Sequence, residues 1–61
     1  MEKKFKEVRR GEHIYDGGWL KVKKKIKKAD GTITLECMHE ELNLPITLTN
    51  CNSEGTIEVK S

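Results

Sequence analysis

Apolar and polar residues alternate along much of this chain, most clearly from Trp19 to Glu41, W-L-K-V-K-K-K-I-K-K-A-D-G-T-I-T-L-E-C-M-H-E-E. Period-two alternation marks strands with one dry and one wet face. Asp30-Gly31 interrupts it, and Asp-Gly between strand formers signals a two-residue hairpin loop whose central positions need positive φ. Counting outward from that loop sets Ala29 against Thr32, Lys28 against Ile33, Ile26 against Leu35, Lys24 against Cys37 and Val22 against His39. Leu20, Val22 and Ile26 then share a face with Ile33, Leu35 and Cys37. The other face holds Trp19, Lys21, Lys23, Lys25 and Lys27 opposite Thr34, Glu36, Met38 and Glu40. A one-residue slip would undo this sorting. Lys24 falls on the apolar face, which requires a bulge near it or a lysine that reaches solvent at a sheet edge. Trp19, Val22 and Ile26 also fit a helical spacing, but the strand-like Thr32–Met38 needs a partner.

The flanks repeat the pattern more weakly. Residues 2–10, E-K-K-F-K-E-V-R-R, carry two apolar points, Phe5 and Val8, and suit a short helical turn or an irregular edge strand. Residues 12–16 read as a short strand ahead of Gly17-Gly18, with either Asp16-Gly17 or Gly17-Gly18 as loop centre. That choice decides whether Ile14 or Tyr15 faces the core. Met38–Asn43 would make one helical turn; alternatively Leu42, Leu44, Ile46 and Leu48 alternate as a strand, and Pro45 places such a strand at an edge or at its beginning. Asn50–Gly55 is turn-rich. A second hairpin about it would pair Thr49 with Thr56, Leu48 with Ile57, Thr47 with Glu58 and Ile46 with Val59.

The expected fold is therefore all-β: a small antiparallel barrel or curled sheet of five to six short strands, SH3-like in architecture, with room for a short N-terminal helical turn. An open meander packed on a short N-terminal helix is the alternative, and the barrel is favoured because it would leave no exposed edges. The 61 residues make a single small β domain spanning 1–61. No apolar run is long enough for a membrane span, and the N-terminus lacks the apolar stretch of a secretion signal, so the expected setting is cytoplasmic. Two cysteines do not make a disulfide scaffold.

Charge changes the picture. Residues 1–30 hold eleven Lys or Arg against five Asp or Glu, a net +6, whereas residues 31–61 hold one Lys against five Glu, a net −4. Lysines at every second strand position, with Arg9 and Arg10 extending them and Trp19 available for stacking, would suit the phosphates and bases of a nucleic acid. The competing explanation is a solvated outer face on which Lys25 and Lys21 face Glu36 and Glu40 across the hairpin. Tyr15, Trp19 and Met38 would equally suit a protein contact.

Other chemistry is poorly supported. Cys37, His39, Cys51 and His13 are zinc-compatible ligand types, but no Cys-x₂₋₄-Cys knuckle is present. Cys with His could serve as nucleophile and base, yet there is no nucleophile motif, no phosphate loop and no paired acid. The expectation is a non-enzymatic binding module without cofactor or metal, using Trp19, Lys21, Lys23, Lys25, Lys27, Arg9 and Arg10 toward nucleic acid. The alternative is a small regulatory or inhibitory protein that docks on a protein partner. Oligomeric state is not legible.

Overall fold

The computed structural model describes all residues 1–61. The Trp19–Glu41 stretch folds as the hairpin that the alternation predicts, but around a loop one residue longer. Strands β3 (Trp19–Lys27) and β4 (Thr32–His39) are antiparallel neighbours. Lys28 and Thr32 close the loop through an N–H···O=C bond of 2.9 Å. Asp30 Oδ1 accepts from both the amide and the hydroxyl of Thr32, at 2.9 and 2.6 Å. Gly31, at φ 88°, occupies the left-handed position that a three-residue loop requires.

That extra residue shifts the register. Lys27 faces Ile33, Lys25 faces Leu35 and Ile26 faces Thr34; a bulge at Lys23 then moves the pairing again, so that Val22 faces Cys37 and Leu20 faces His39. The irregularity expected near Lys24 is thus present. It keeps Leu20 and Val22 on the face shared with Leu35 and Cys37. It does not keep Ile26 there: Ile26 lies with Lys24 on the opposite face, and Lys25 and Lys27 take the inner one. The pairings Lys25–Glu36 and Lys21–Glu40 are likewise replaced, by Lys24–Glu36 and Lys21–Met38.

Upstream, β2 (His13–Tyr15) pairs with β3 across Asp16-Gly17-Gly18, with Ile14 opposite Leu20. Ile14 is fully buried and Tyr15 is 51% exposed, which settles the open choice at this turn. Downstream, β5 (Pro45–Asn52) begins at its proline and forms the outer edge of the sheet β2-β3-β4-β5. Thr49 and Asn50 together oppose Thr34, a second bulge in which Asn50 adopts φ 57°. Met38–Asn43 forms no helix: β4 continues to His39, and a turn follows.

The second hairpin is not formed. A turn does follow Asn52, whose side chain accepts from the Glu54 amide at 2.9 Å, but β6 (Thr56–Glu58) leaves β5 and pairs with β1 (Glu2–Lys4). Between β1 and β2 the chain makes a 3₁₀ turn at Phe5–Glu7, so both readings of the N-terminal segment hold in part. The two sheets touch through an isolated bridge between Ile14 and Val59, and they are not closed into a barrel. They enclose one core of Val8, Ile14, Leu20, Val22, Ile33, Leu35, Cys37 and Val59.

Candidate nucleic-acid interface

Lys25 shows how the register builds the basic surface. It stands on the inner face, opposite Leu35, at the end of the hairpin that the 3₁₀ turn crosses. Its ammonium donates to the carbonyls of Lys6 at 2.6 Å and Val8 at 2.8 Å. Those carbonyls lie outside any ladder and need donors. Burial, then the neighbouring Lys27, lowers the Lys25 pKa from its ordinary value. Together with backbone bonds from the Gly11 amide to the Val22 carbonyl at 2.8 Å and from the Val22 amide to the Glu12 carbonyl at 2.9 Å, the contact holds the N-terminal segment against β3 and sets Arg9 and Arg10 beside it. An open groove results, lined by the cations Lys3, Lys6, Arg9, Arg10 and Lys25 and by Glu7 and Glu12. A second recess adjoins it toward the hairpin loop, with Lys6, Lys27 and Lys28 on its walls. Lys6 belongs to both.

Not all of these charges are free. Lys3 pairs with Glu12 at 2.6 Å, and this contact is the leading reason that the Glu12 carboxyl titrates below its usual range. Lys6 and Lys4 both pair with Glu54, at 2.7 and 3.0 Å. Arg9, Arg10, Lys27 and Lys28 form no ion pair. Around the two recesses, therefore, unneutralised cations outnumber unneutralised acids, and the surplus sits at the rim where a ligand would meet it.

The comb of four lysines on one wet face is overturned by the register. Lys21 remains on the outer face with Trp19, Lys23 occupies the bulge, and Lys25 and Lys27 lie on the inner face. A loop longer by one residue reverses parity near the hairpin tip, and the bulge restores it near Trp19. Of the sequence-selected residues, the structure gathers Arg9, Arg10 and Lys25 into the first recess and places Lys27 in the second. Trp19, Lys21 and Lys23 line neither. Lys3, Lys6 and Lys28 were missed. The charge of residues 1–30 signalled them in bulk, but only the path of the N-terminal segment over β3 assembles them.

Trp19 belongs to a different surface. Tyr15 faces it across β2–β3, with ring centroids 5.3 Å apart and planes at 78°. The Lys60 ammonium lies 5.6 Å from the Trp19 ring. His13 and Lys21 pair on this same outer face, as do Lys21 and Met38. His13 Nε2 contacts Glu40 Oε1 at 2.5 Å.

The cysteines and histidines do not converge. No group of three or more His, Cys, Asp or Glu side chains is placed to hold a metal ion. Cys37 is buried, and desolvation pushes its thiol up to about 11; Cys51 is raised for the same reason. At neutral pH both are thiols rather than nucleophilic thiolates. His39 is buried, and its Nδ1 accepts from the Leu42 amide at 3.1 Å, so it braces the β4–β5 turn. No helix is long and apolar enough to cross a membrane.

No family model, curated protein or solved structure matches this chain.

Proposed function

We propose that this chain is a non-enzymatic, cytoplasmic module that binds nucleic acid, with phosphates running along the groove beside Arg9 and Arg10 and past Lys27 and Lys28. One observation carries the reading: these four cations line two recesses that share Lys6, and none of them is in an ion pair. Phosphate binding draws its free energy largely from counterions released as such side chains neutralise the backbone. Arg adds bidentate geometry toward phosphate oxygens. Lys25 is a poor probe of this idea, because its ammonium already holds two backbone carbonyls.

The test is fluorescence anisotropy with labelled single-stranded RNA, single-stranded DNA and duplex DNA, each titrated across salt concentration. The Arg9→Ala/Arg10→Ala/Lys27→Ala/Lys28→Ala variant should retain the wild-type circular dichroism spectrum. On duplex DNA, at ~0.9 per phosphate contact, its log–log salt slope should be shallower by about 3–4 units. No binding of any probe at low salt, or an unchanged slope in the variant, would sink the reading.

A protein partner is the second reading, and one feature favours it. Tyr15, Trp19 and Met38 lie on one outer sheet face, and Leu42 and Leu44 near its end are 61% and 53% exposed. A docked regulator or inhibitor would bind there with little salt dependence, and Trp19→Ala rather than the four-cation variant would abolish the complex.

A further inference from the structure

The outer edge of β5 is long, exposed and free of charge. From Leu42 to Ser53 the chain has no Lys, Arg, Asp or Glu, although 36% of the whole chain is charged. Edge strands are ordinarily protected by charged side chains, especially lysine, by being short, by a proline or by a bulge, and β5 has the last two only at its ends. The other edge of this sheet, β2, is only three residues long, and β1, an edge of the small sheet, is three residues, all charged. β5 has eight residues, with a proline at its start and a bulge near its end.

The ladder determines which groups point outward. The His39 amide donates to the Leu44 carbonyl at 2.8 Å. Bonding alternates along an antiparallel pair, so Leu44, Ile46 and Leu48 turn their backbone groups toward β4. Pro45, Thr47 and Thr49 turn theirs to solvent, and all three residues are exposed. The free edge thus offers the N–H groups of Thr47 and Thr49 and the carbonyls of Pro45, Thr47 and Thr49.

We infer that this edge pairs with a second copy of itself, antiparallel, about a twofold axis at Thr47. Thr47 and its mate then exchange two hydrogen bonds, and each Thr49 amide donates to the other copy's Pro45 carbonyl. Every outward N–H is satisfied, and the one carbonyl left over in each copy faces a proline, which has no N–H to give. In this register Ile46 stands beside the mate's Leu48, so half-buried aliphatics continue the apolar face across the axis. A register centred on Leu48 would make as many bonds, but it would set Ile46 against the bulged Asn50. The axis also explains why an uncharged edge suits self-pairing. A lysine at its centre would meet its own copy, whereas threonine meets threonine at no electrostatic cost. The pairing is independent of the nucleic-acid reading.

Sedimentation equilibrium of the full chain from low-micromolar to submillimolar concentration at physiological ionic strength tests it. The wild type should dimerise. Thr47→Pro removes an amide that β4 does not use, and Thr47→Lys places two ammonium groups at the axis. Both should keep the wild-type circular dichroism spectrum and weaken dimerisation tenfold or more. In a mixed-isotope sample, intermolecular contacts between Ile46 and Leu48 should mark the register. A monomeric wild type throughout this range, a dimer unaffected by Thr47→Pro, or contacts in another register would overturn the inference.

Discussion

Gly18 is the position where a single added carbon should matter most. Its φ is +149°, and a Cβ built there would lie 2.9 Å from His39 Cε1 and closer still to Nε2. The imidazole has little freedom to yield. It is buried, and its Nδ1 holds the Leu42 amide that shapes the turn into β5. Gly17 provides the control, since at φ +70° its Cβ would meet nothing within 4 Å. Gly17→Ala should cost only the left-handed backbone penalty, ~1 kcal/mol. Gly18→Ala adds overpacking to a comparable penalty and should cost about 2–4 kcal/mol. Urea midpoints of the two variants would separate these effects. Equal costs would mean that the His39 ring does not press on the β2–β3 turn. The pairing of these two residues also explains why a histidine occurs in an otherwise apolar row: it fills the space the glycine leaves and hydrogen-bonds the following turn.

At the scale of elements, the N-terminal segment and the β5–β6 turn are held together by two backbone bonds, from the Phe5 amide to Gly55 and from the Lys6 amide to Ser53, and by charge. Glu54 accepts from Lys6 and Lys4, in that order of effect, and its carboxyl is held down at about 2 from an ordinary 4.5. A carboxyl lowered on folding contributes stability that is complete above its unfolded value and is lost as pH falls through its folded one. The melting temperature of the wild type at low salt should therefore decline from pH 4.5 toward 2, and Glu54→Gln should remove part of that decline. Some slope remains from Glu12, which Lys3 lowers in the same direction. The amplitude is small because the Glu54 pairs are exposed. An identical pH profile in Glu54→Gln would show that these bridges do not form in solution. The same elements mark where sequence reading stops. Alternation located β3, β4 and the start of β5, because each residue there reports only which face it occupies. Asp30-Gly31 located the hairpin tip, but a two-residue and a three-residue loop both accept Gly at positive φ, so the register came out wrong by one. The Lys23 bulge then corrected the faces of Val22 and Leu20 while leaving Lys25 and Lys27 inside. The partner of β6 was not legible. Alternation offers Ile57 and Val59 aliphatic neighbours on β5, whereas β1 is Glu-Lys-Lys and sets Lys3 opposite Ile57, a pairing that only tertiary packing selects.

For the molecule as a whole, the question is whether two sheets of unequal size unfold as one. The β1–β6 pair has only three residues in each strand and meets the larger sheet through a single bridge at Ile14 and Val59. Two-stranded sheets are at best marginally stable alone. Yet Val8 and Val59, which flank that pair in the chain, are 0% and 1% exposed and sit in the same core as Leu20, Val22 and Leu35. The smaller sheet is therefore a cover over the larger, and the larger has no other apolar layer to lose. Val59→Ala removes two methyl groups from this junction, worth about 2 kcal/mol at ~0.8 per buried carbon with an allowance for the cavity. In a chain of this length that corresponds to a fall in melting temperature of roughly 8–16 °C. Trp19 fluorescence reports the four-stranded sheet, and far-ultraviolet circular dichroism reports both sheets. The two transitions should coincide in the wild type and move down together in Val59→Ala, because the aliphatic faces that bury Trp19's own strand are the ones Val59 covers. A Trp19 transition that stays in place while the circular dichroism signal splits would show the small sheet to be an appendage. In that case Lys3 would leave the basic groove before the larger sheet unfolds, while Arg9 and Arg10, next to the Gly11–Val22 backbone bond, would stay beside β3.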